Sequence, residues 1–202
     1  MLITPPHLLD GSRWAGKRIG LLGGSFNPPH KGHVHISLQA IKSLELDFVW
    51  WLVTPHNPLK QKKTLMPYEE RLSLCRCITK HPQIIITDLE RQIGDSRTYK
   101  AIKTIKDKFS RTDFVLLTGM DNALIFHKWW RWRDILNETA TAHITRPPAE
   151  GLIKQCPLRL ISTQNHHFIE TPEKAILKPN HTYWLMQKKM LSISSTKIRN
   201  NM

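Results

Sequence analysis

Short apolar runs alternate with amphipathic segments along most of the chain, and this alternation constrains the fold more than any other feature. The runs have the length and composition of buried strands, and they lie at residues 17–22, 47–53, 84–87 and 113–117. Segments with apolar residues at helical spacing follow the first three runs, at residues 32–44, 68–80 and 98–109. Strands that alternate with helices predict an α/β fold, in which helices cover both faces of a parallel sheet.

The remainder of the chain is predicted to extend the same sheet. The pattern predicts a helical stretch near residues 121–136, short strands at residues 142–145, 158–161 and 183–186, and a last helix that begins at Ser194 or Ser195. Residues 1–16 are predicted to form an N-terminal arm and residues 17–202 a single domain, because no repeat or linker divides them. At 202 residues the chain is long enough to bury a core without disulfide bonds.

The net charge limits the classes of partner that we expect, and the cysteine content indicates the cellular compartment. The formal net charge of +14 favours nucleic acid, an anionic membrane surface or phosphorylated small molecules as partners. No segment reaches the roughly 18 apolar residues that cross a bilayer, and the N-terminus lacks the pattern of a signal peptide. The three cysteines, Cys75, Cys77 and Cys156, have no paired spacing and are typical of reduced thiols. We therefore expect a cytoplasmic protein that makes no membrane contact.

The glycine-rich loop after the first predicted strand is a candidate phosphate site. It has the sequence GGSFNPPHKGH over residues 23–33, and in folds of this class ligands bind beyond the carboxyl ends of the strands. Gly24 permits close approach of the backbone to a ligand, and the N-terminus of the next helix favours phosphate. His30 and His33 can donate hydrogen bonds to phosphate oxygens. The alternative interpretation is a glycine-rich turn that carries two solvated histidines.

This loop resembles the signature of the HxGH nucleotidyltransferase superfamily. Residues 193–199, ISSTKIR, resemble the closing element of its nicotinate-nucleotide adenylyltransferase branch. Landmarks between the two motifs also agree with that branch, namely residues 57–60 (NPLK), residues 119–121 (GMD), Trp129 and residues 146–147 (RP). The resemblance covers about residues 17–199 and implies a Rossmann-like parallel sheet of the HxGH nucleotidyltransferase type. It also implies adenylyl transfer from ATP to nicotinate mononucleotide, with release of pyrophosphate.

The resemblance further implies roles for individual residues. The residues expected to bind ATP are Gly24, Ser25, Phe26, His30, His33, Gly119, Asp121, Ser194, Ser195, Thr196 and Arg199. Those expected to bind nicotinate mononucleotide are Ser25, Phe26, Lys60, Thr98, Trp129 and Arg146. His30, His33, Lys60 and Arg199 are expected to act on the reacting phosphates. No covalent nucleophile is expected, and Mg²⁺ is expected to arrive on the phosphates of ATP without a carboxylate cage of the protein.

Several of these roles have simpler alternatives, and two segments depart from the pattern of the branch. Trp129 is also compatible with an aromatic edge of the core, Asp121 and Thr98 with helix caps, and Lys60 and Arg146 with surface charges. Residues 58–60 are PLK where the branch often has a histidine before the basic residue. Residues 96–101 are SRTYKA where the branch often has SYTxDT, so that Thr98 remains but the usual tyrosine and acid are replaced.

Three other functions remain as alternatives. The nearest is a sister adenylyltransferase that uses nicotinamide mononucleotide or phosphopantetheine. A fragment of a class I aminoacyl-tRNA synthetase would explain the likeness of residues 30–33 to its HIGH element, but the chain is too short for a tRNA-recognition module. A nucleic-acid-binding module would explain the net charge and residues 127–133, HKWWRWR, although we consider nucleic acid the less favoured partner. The oligomeric state stays open, a homo-oligomer included.

The positions of the basic residues bear on this choice. Lys62 and Lys63 follow Lys60, and basic residues without any acid follow Glu173, so that part of the surplus surrounds motifs expected to meet phosphates. The rest crowds the helix predicted at residues 98–109 without a motif to explain it.

Overall fold

The computed structural model describes residues 4–55, 65–145 and 153–186, together with Ser195 and Ile198. These described residues form seven strands: β1 (Arg18–Gly24), β2 (Phe48–Val53), β3 (Ile84–Thr87), β4 (Asp113–Gly119), β5 (Ala140–Ile144), β6 (Asn165–Ile169) and β7 (His181–Leu185). The α-helices are α1 (Lys31–Leu44), α2 (Tyr68–Ile78), α3 (Leu89–Ile93), α4 (Thr98–Lys108), α5 (Met120–Ile125) and α6 (Trp132–Glu138). Short 3₁₀ helices lie at Gly11–Trp14, Phe126–Lys128 and Pro157–Leu160.

All seven strands belong to one sheet in the order β3-β2-β1-β4-β5-β7-β6, and every neighbouring pair is parallel. Side chains of each strand point alternately to the two faces. On β2, Trp50 packs into the core that α4, α5 and α6 cover, whereas Trp51 packs into the core beneath α1 and α2. The two cores confirm the prediction of a Rossmann-like α/β sheet with helices on both faces.

The first four predicted strands and the helices after the first three are confirmed within a few residues. The helix predicted near residues 121–136 is divided into α5, a 3₁₀ turn and α6, because Trp129 is extended and Arg131 has a left-handed backbone with φ of 54°. The prediction of a strand at residues 158–161 is wrong. Pro157 occupies the first position of a 3₁₀ helix there, where its fixed φ and missing N–H are tolerated.

One α-helix and one β-strand have no counterpart in the sequence prediction. The helix α3 is only five residues long and is capped at its C-terminus by Gly94, which has a positive φ of 74°. The strand β6 lies at the end of the sheet and carries His166, His167 and a half-exposed Phe168, so it lacks the apolar pattern of a buried strand.

Residues 11–16 of the N-terminal arm pack against the domain. Trp14 is 3% exposed and meets Trp50 and Phe48 edge to face, at ring centroid distances of 4.9 and 5.4 Å. Its carbonyl accepts a hydrogen bond from the Thr112 hydroxyl, at 2.8 Å. The end of the arm therefore contributes a large side chain to the core.

Within the described residues, no helix is both long and apolar enough to cross a bilayer. The cysteines Cys75, Cys77 and Cys156 are all free thiols.

Replacing Trp14 tests the contribution of the arm to stability. We expect Trp14→Ala to lower the free energy of unfolding by about 3–5 kcal/mol, because the substitution leaves a cavity against Trp50. Urea denaturation followed by fluorescence or circular dichroism measures the change. The control is Leu9→Ala, since Leu9 is 85% exposed and should change stability by less than about 0.5 kcal/mol. Equal stabilities of the two variants would contradict this assignment.

Candidate active site

The strand order places a crevice above β1. The chain continues from β1 to β2 and β3 on one side and later returns to β4 on the other side of β1. The loops that leave the carboxyl ends of β1 and β4 therefore diverge, and ligands bind at such a point in open α/β sheets. The loop at residues 25–30 starts at this point and leads directly into α1.

Two histidines close the start of α1 with a reciprocal pair of hydrogen bonds. Nδ1 of His30 accepts from the backbone N–H of Gly32, at 3.1 Å, and Nδ1 of His33 accepts from the backbone N–H of His30, at 3.1 Å. Their ring centroids are 3.9 Å apart. Since both Nδ1 atoms are acceptors, each neutral ring carries its proton on Nε2, and Nε2 is the atom able to donate to a phosphate.

An aromatic stack holds this histidine pair against the sheet. Phe26 is 2% exposed and stacks on Trp51, with centroids 4.8 Å apart, and its other neighbour is His33, at 4.8 Å. The indole N–H of Trp51 donates to the Ser37 hydroxyl, which in turn donates to the backbone carbonyl of His33. Phe26 has a left-handed backbone with φ of 46°, which an L-residue adopts only when its surroundings enforce it. The ring of Phe26 thus supports the loop from beneath.

Arg71, on α2, ties three chain segments together beneath the same loop. Its side chain is fully buried and donates to four backbone carbonyls, at distances between 2.6 and 3.0 Å. The acceptors are Ser25 after β1, Thr54 and Pro55 after β2, and Met66 before α2. Burial lowers the pKa of the guanidinium from its ordinary value, although a guanidinium remains protonated in proteins.

A cavity of about 760 Å³ opens beside the loop at the carboxyl edge. Its wall includes Gly24 at the end of β1, Ser25 after β1, Thr54 after β2, Glu90 of α3, Thr98 at the start of α4 and Trp129. Ser25 Oγ and Glu90 Oε2 are buried polar atoms that have no hydrogen-bond partner among the described residues. Trp129 is half-buried and stacks on Phe126, with centroids 4.9 Å apart. The cavity thus combines a flat aromatic face with unsatisfied polar groups, as sites for small ligands do.

The structure brings together four of the residues expected from the sequence, because Gly24, Ser25, Thr98 and Trp129 line this one cavity. Phe26, His30 and His33 belong to the adjoining loop and the start of α1, and Gly119 and Asp121 lie where β4 leads into α5, with Asp121 exposed. Ser195 also reaches the loop, because its hydroxyl donates to the Pro28 carbonyl at 2.9 Å. Lys60, Arg146, Ser194, Thr196 and Arg199 lie outside the described residues.

Sequence analysis did not identify Glu90 or Arg71. Arg71 lies in a predicted amphipathic helix and Glu90 lies outside every predicted element, and exposure is the usual expectation for charged residues. Only the positive charge of Arg71 within the apolar side of α2, next to Leu72 and Cys75, gave a sign in the sequence that a buried partner was needed.

Comparison with known proteins agrees with this geometry. The model of the cytidylyltransferase-like family matches residues 21–201. A protein of Cereibacter sphaeroides named "Probable nicotinate-nucleotide adenylyltransferase" is 37% identical over 181 residues, which are 90% of this chain and 96% of that protein. A protein of Ruegeria pomeroyi with the same name is 35% identical over 190 residues, or 91% of this chain and 86% of that protein.

A solved structure has the same fold. It is the nicotinic acid mononucleotide adenylyltransferase of Plasmodium falciparum complexed with NaAD, with a TM-score of 0.67 and 21% identity. The match covers 91% of this chain and 83% of that chain. The family match and the two bacterial relatives show that this chain belongs to the cytidylyltransferase-like family, where it groups with nicotinate-nucleotide adenylyltransferases.

Proposed function

We propose that this protein transfers the adenylyl group of ATP to nicotinate mononucleotide, giving nicotinate adenine dinucleotide and pyrophosphate. One observation carries the proposal. Reciprocal hydrogen bonds fix His30 and His33 at the start of α1, and the loop that leads into α1 begins in the wall of a cavity with an aromatic face. The names of relatives that cover nearly the whole chain support the choice of substrates.

The reaction requires positioning and charge neutralisation more than covalent chemistry. A phosphate oxygen of the mononucleotide attacks the α-phosphorus of ATP, a new P–O bond forms, and the bond to the β-phosphate oxygen breaks. Nε2–H groups of His30 and His33 donate to the phosphates and stabilise the charge that moves to pyrophosphate, and the dipole of α1 adds positive potential at the same place. The resemblance adds Ser194, Thr196, Arg199 and Lys60 to this group.

The cavity suits the pyridine ring of the second substrate. Trp129 offers a stacking face, and Thr98 is the first residue of α4, where no side chain caps the free N–H groups. Those N–H groups and the Thr98 hydroxyl can receive the carboxylate of the nicotinate ring. By resemblance, Arg146 faces the mononucleotide phosphate, whereas Gly119 and Asp121 contact the adenosine.

Mg²⁺ fits this site as part of the substrate. The described residues contain no group of three or more His, Cys, Asp or Glu side chains that could hold a metal ion. The donors near the loop are imidazoles, hydroxyls and backbone N–H groups, which suit phosphate oxygens. The ion, carried by ATP, would neutralise phosphate charge, as Mg²⁺ commonly does in nucleotide sites.

The aromatic and basic residues near the cavity support a small substrate over nucleic acid. Arg97 lies over the ring of Trp130, at 4.6 Å, and Arg131 lies over Tyr99, at 4.3 Å. Asp95 forms an ion pair with Arg97, and Asp134 forms an ion pair with Arg131. Each of these guanidinium groups therefore already has a ring face and a carboxylate as partners within the protein. The free thiols are in keeping with the reducing environment of the cytoplasm.

Replacing His33 tests the role of the histidine pair. We expect His33→Ala to lower kcat for pyrophosphate release from ATP and nicotinate mononucleotide by about 10²- to 10³-fold, because a donor to the transferring phosphates is lost. A coupled pyrophosphate assay measures the rate, and the melting temperature reports whether the variant is folded. The control is His81→Ala, since His81 lies just before β3, at the amino ends of the strands and away from the loop into α1. Equal rates in the two variants would contradict the proposed role.

Replacing Trp129 tests the placement of the pyridine ring. We expect Trp129→Ala to raise KM for nicotinate mononucleotide about tenfold or more, because a stacking face is lost, with little change in KM for ATP. Steady-state kinetics with each substrate varied in turn measures both constants. Trp132→Ala is the control, since Trp132 packs against the same core but does not line the cavity. A rise confined to KM for ATP would place the ring elsewhere.

A further inference from the structure

Glu90 is the buried acidic side chain in the cavity wall, and the proposed reaction does not use it. It is 5% exposed, on α3, and shares the wall with Thr98 and Trp129. Its Oε1 would lie 3.9 Å from a Cβ placed on Gly23, so the carboxyl group faces the end of β1. A carboxyl group is rarely buried in a protein unless it is paired or has a function.

The hydrogen bonds of this carboxyl group are incomplete. Thr54 lies in the same cavity wall, and Oε2 has no hydrogen-bond partner among the described residues. Burial raises the pKa of Glu90 to about 8, and the charge of Asp95 adds to the rise. At neutral pH the group is therefore mainly a neutral acid that has an O–H to donate.

The charged groups around the cavity do not remove this effect. Asp95, in the turn between α3 and α4, pairs with Arg97 and Lys100. Arg91, next to Glu90 on α3, forms ion pairs with Glu69 on α2 and with Asp88, which precedes α3. The hydroxyl of Tyr68, on α2, also faces this region, and burial raises its pKa to about 12, so it stays neutral. Lys128 and Arg97 are also part of the cavity wall.

We propose that the buried carboxyl group of Glu90 in the cavity wall donates a hydrogen bond to the carboxylate of the nicotinate ring and thereby selects the acid over the amide form of the mononucleotide. The inference rests on the proposed function and concerns the same cavity. An O–H that donates to a carboxylate makes a stronger, charge-assisted bond than one that donates to the neutral amide. An ionised Glu90 would repel the carboxylate and accept from the amide N–H₂ instead.

The direction of the pH effect follows from the protonation state. Below about pH 8 Glu90 is neutral and the acid is preferred, and above it Glu90 is ionised and the preference weakens. The two mononucleotides share the same phosphate, so its titration cancels in the ratio of their kcat/KM values. That ratio reports ionisations of the free enzyme.

The experiment compares nicotinate and nicotinamide mononucleotide as substrates from about pH 6.5 to about pH 9.5. In the wild type we expect the ratio of kcat/KM, acid over amide, to fall about tenfold or more across this range. In Glu90→Gln the ratio should stay level, because the amide side chain keeps an N–H donor at every pH. The matched control is Glu70→Gln, since Glu70 is exposed on α2 and the variant should follow the wild type.

Other outcomes would overturn the inference. A level ratio in the wild type, or the same fall in Glu90→Gln, would show that Glu90 does not read the ring substituent. Equal losses of kcat/KM for both substrates in Glu90→Gln would show that Glu90 instead contacts the ribose or phosphate that the two mononucleotides share. If the melting temperature shows that Glu90→Gln is unfolded, the wild-type profile decides alone. Turnover of neither mononucleotide by the wild type would overturn the proposed function itself, which separates that failure from failure of the inference.

Discussion

The site depends on the hydrogen bonds that the buried guanidinium group of Arg71 donates to backbone carbonyls. Its hydrogen bonds to the carbonyls of Ser25, Thr54 and Met66 fix the loops after β1 and β2 and the entry to α2 relative to one another. Carbonyl oxygens solvate its charge, and none of the described carboxylates forms an ion pair with it. Because this charge lies beneath the loop that carries His30, it adds a fixed positive contribution to the field where phosphates are expected to bind.

The sequence predicted those parts of the molecule in which local pattern and tertiary environment agree. The strands β1 to β4 are buried on both faces and are almost continuously apolar, and the loop into α1 carries its own turn and capping residues. The strand β6 was not predicted, since an edge strand that carries His166 and His167 has a mixed pattern. Glu90 and Arg71 escaped prediction because the burial of a charged group depends on partners distant in the sequence: Arg71 contacts Ser25, 46 positions away.

Much of the basic charge on α4, which has no role in the motifs, is engaged by neighbouring elements. Lys106 donates to the Glu138 carbonyl at the end of α6, and Lys103 reaches the carboxylate of the same residue. Lys100 pairs with Asp95 before α4. Lys106 thus links α4 to the end of α6, whereas the ion pairs of Lys100 and Lys103 involve side chains that are about half exposed and add little to stability.

The central claim is that the adenylyl group itself moves, and the fate of the α-phosphorus tests it most directly. ATP labelled with ³²P at the α-position is incubated with the protein, Mg²⁺ and nicotinate mononucleotide, and the products are separated by chromatography. The account predicts that the label leaves ATP and is recovered in nicotinate adenine dinucleotide, with unlabelled pyrophosphate as the second product. Label that remains in ATP, or is recovered as free AMP without the dinucleotide, would contradict the account.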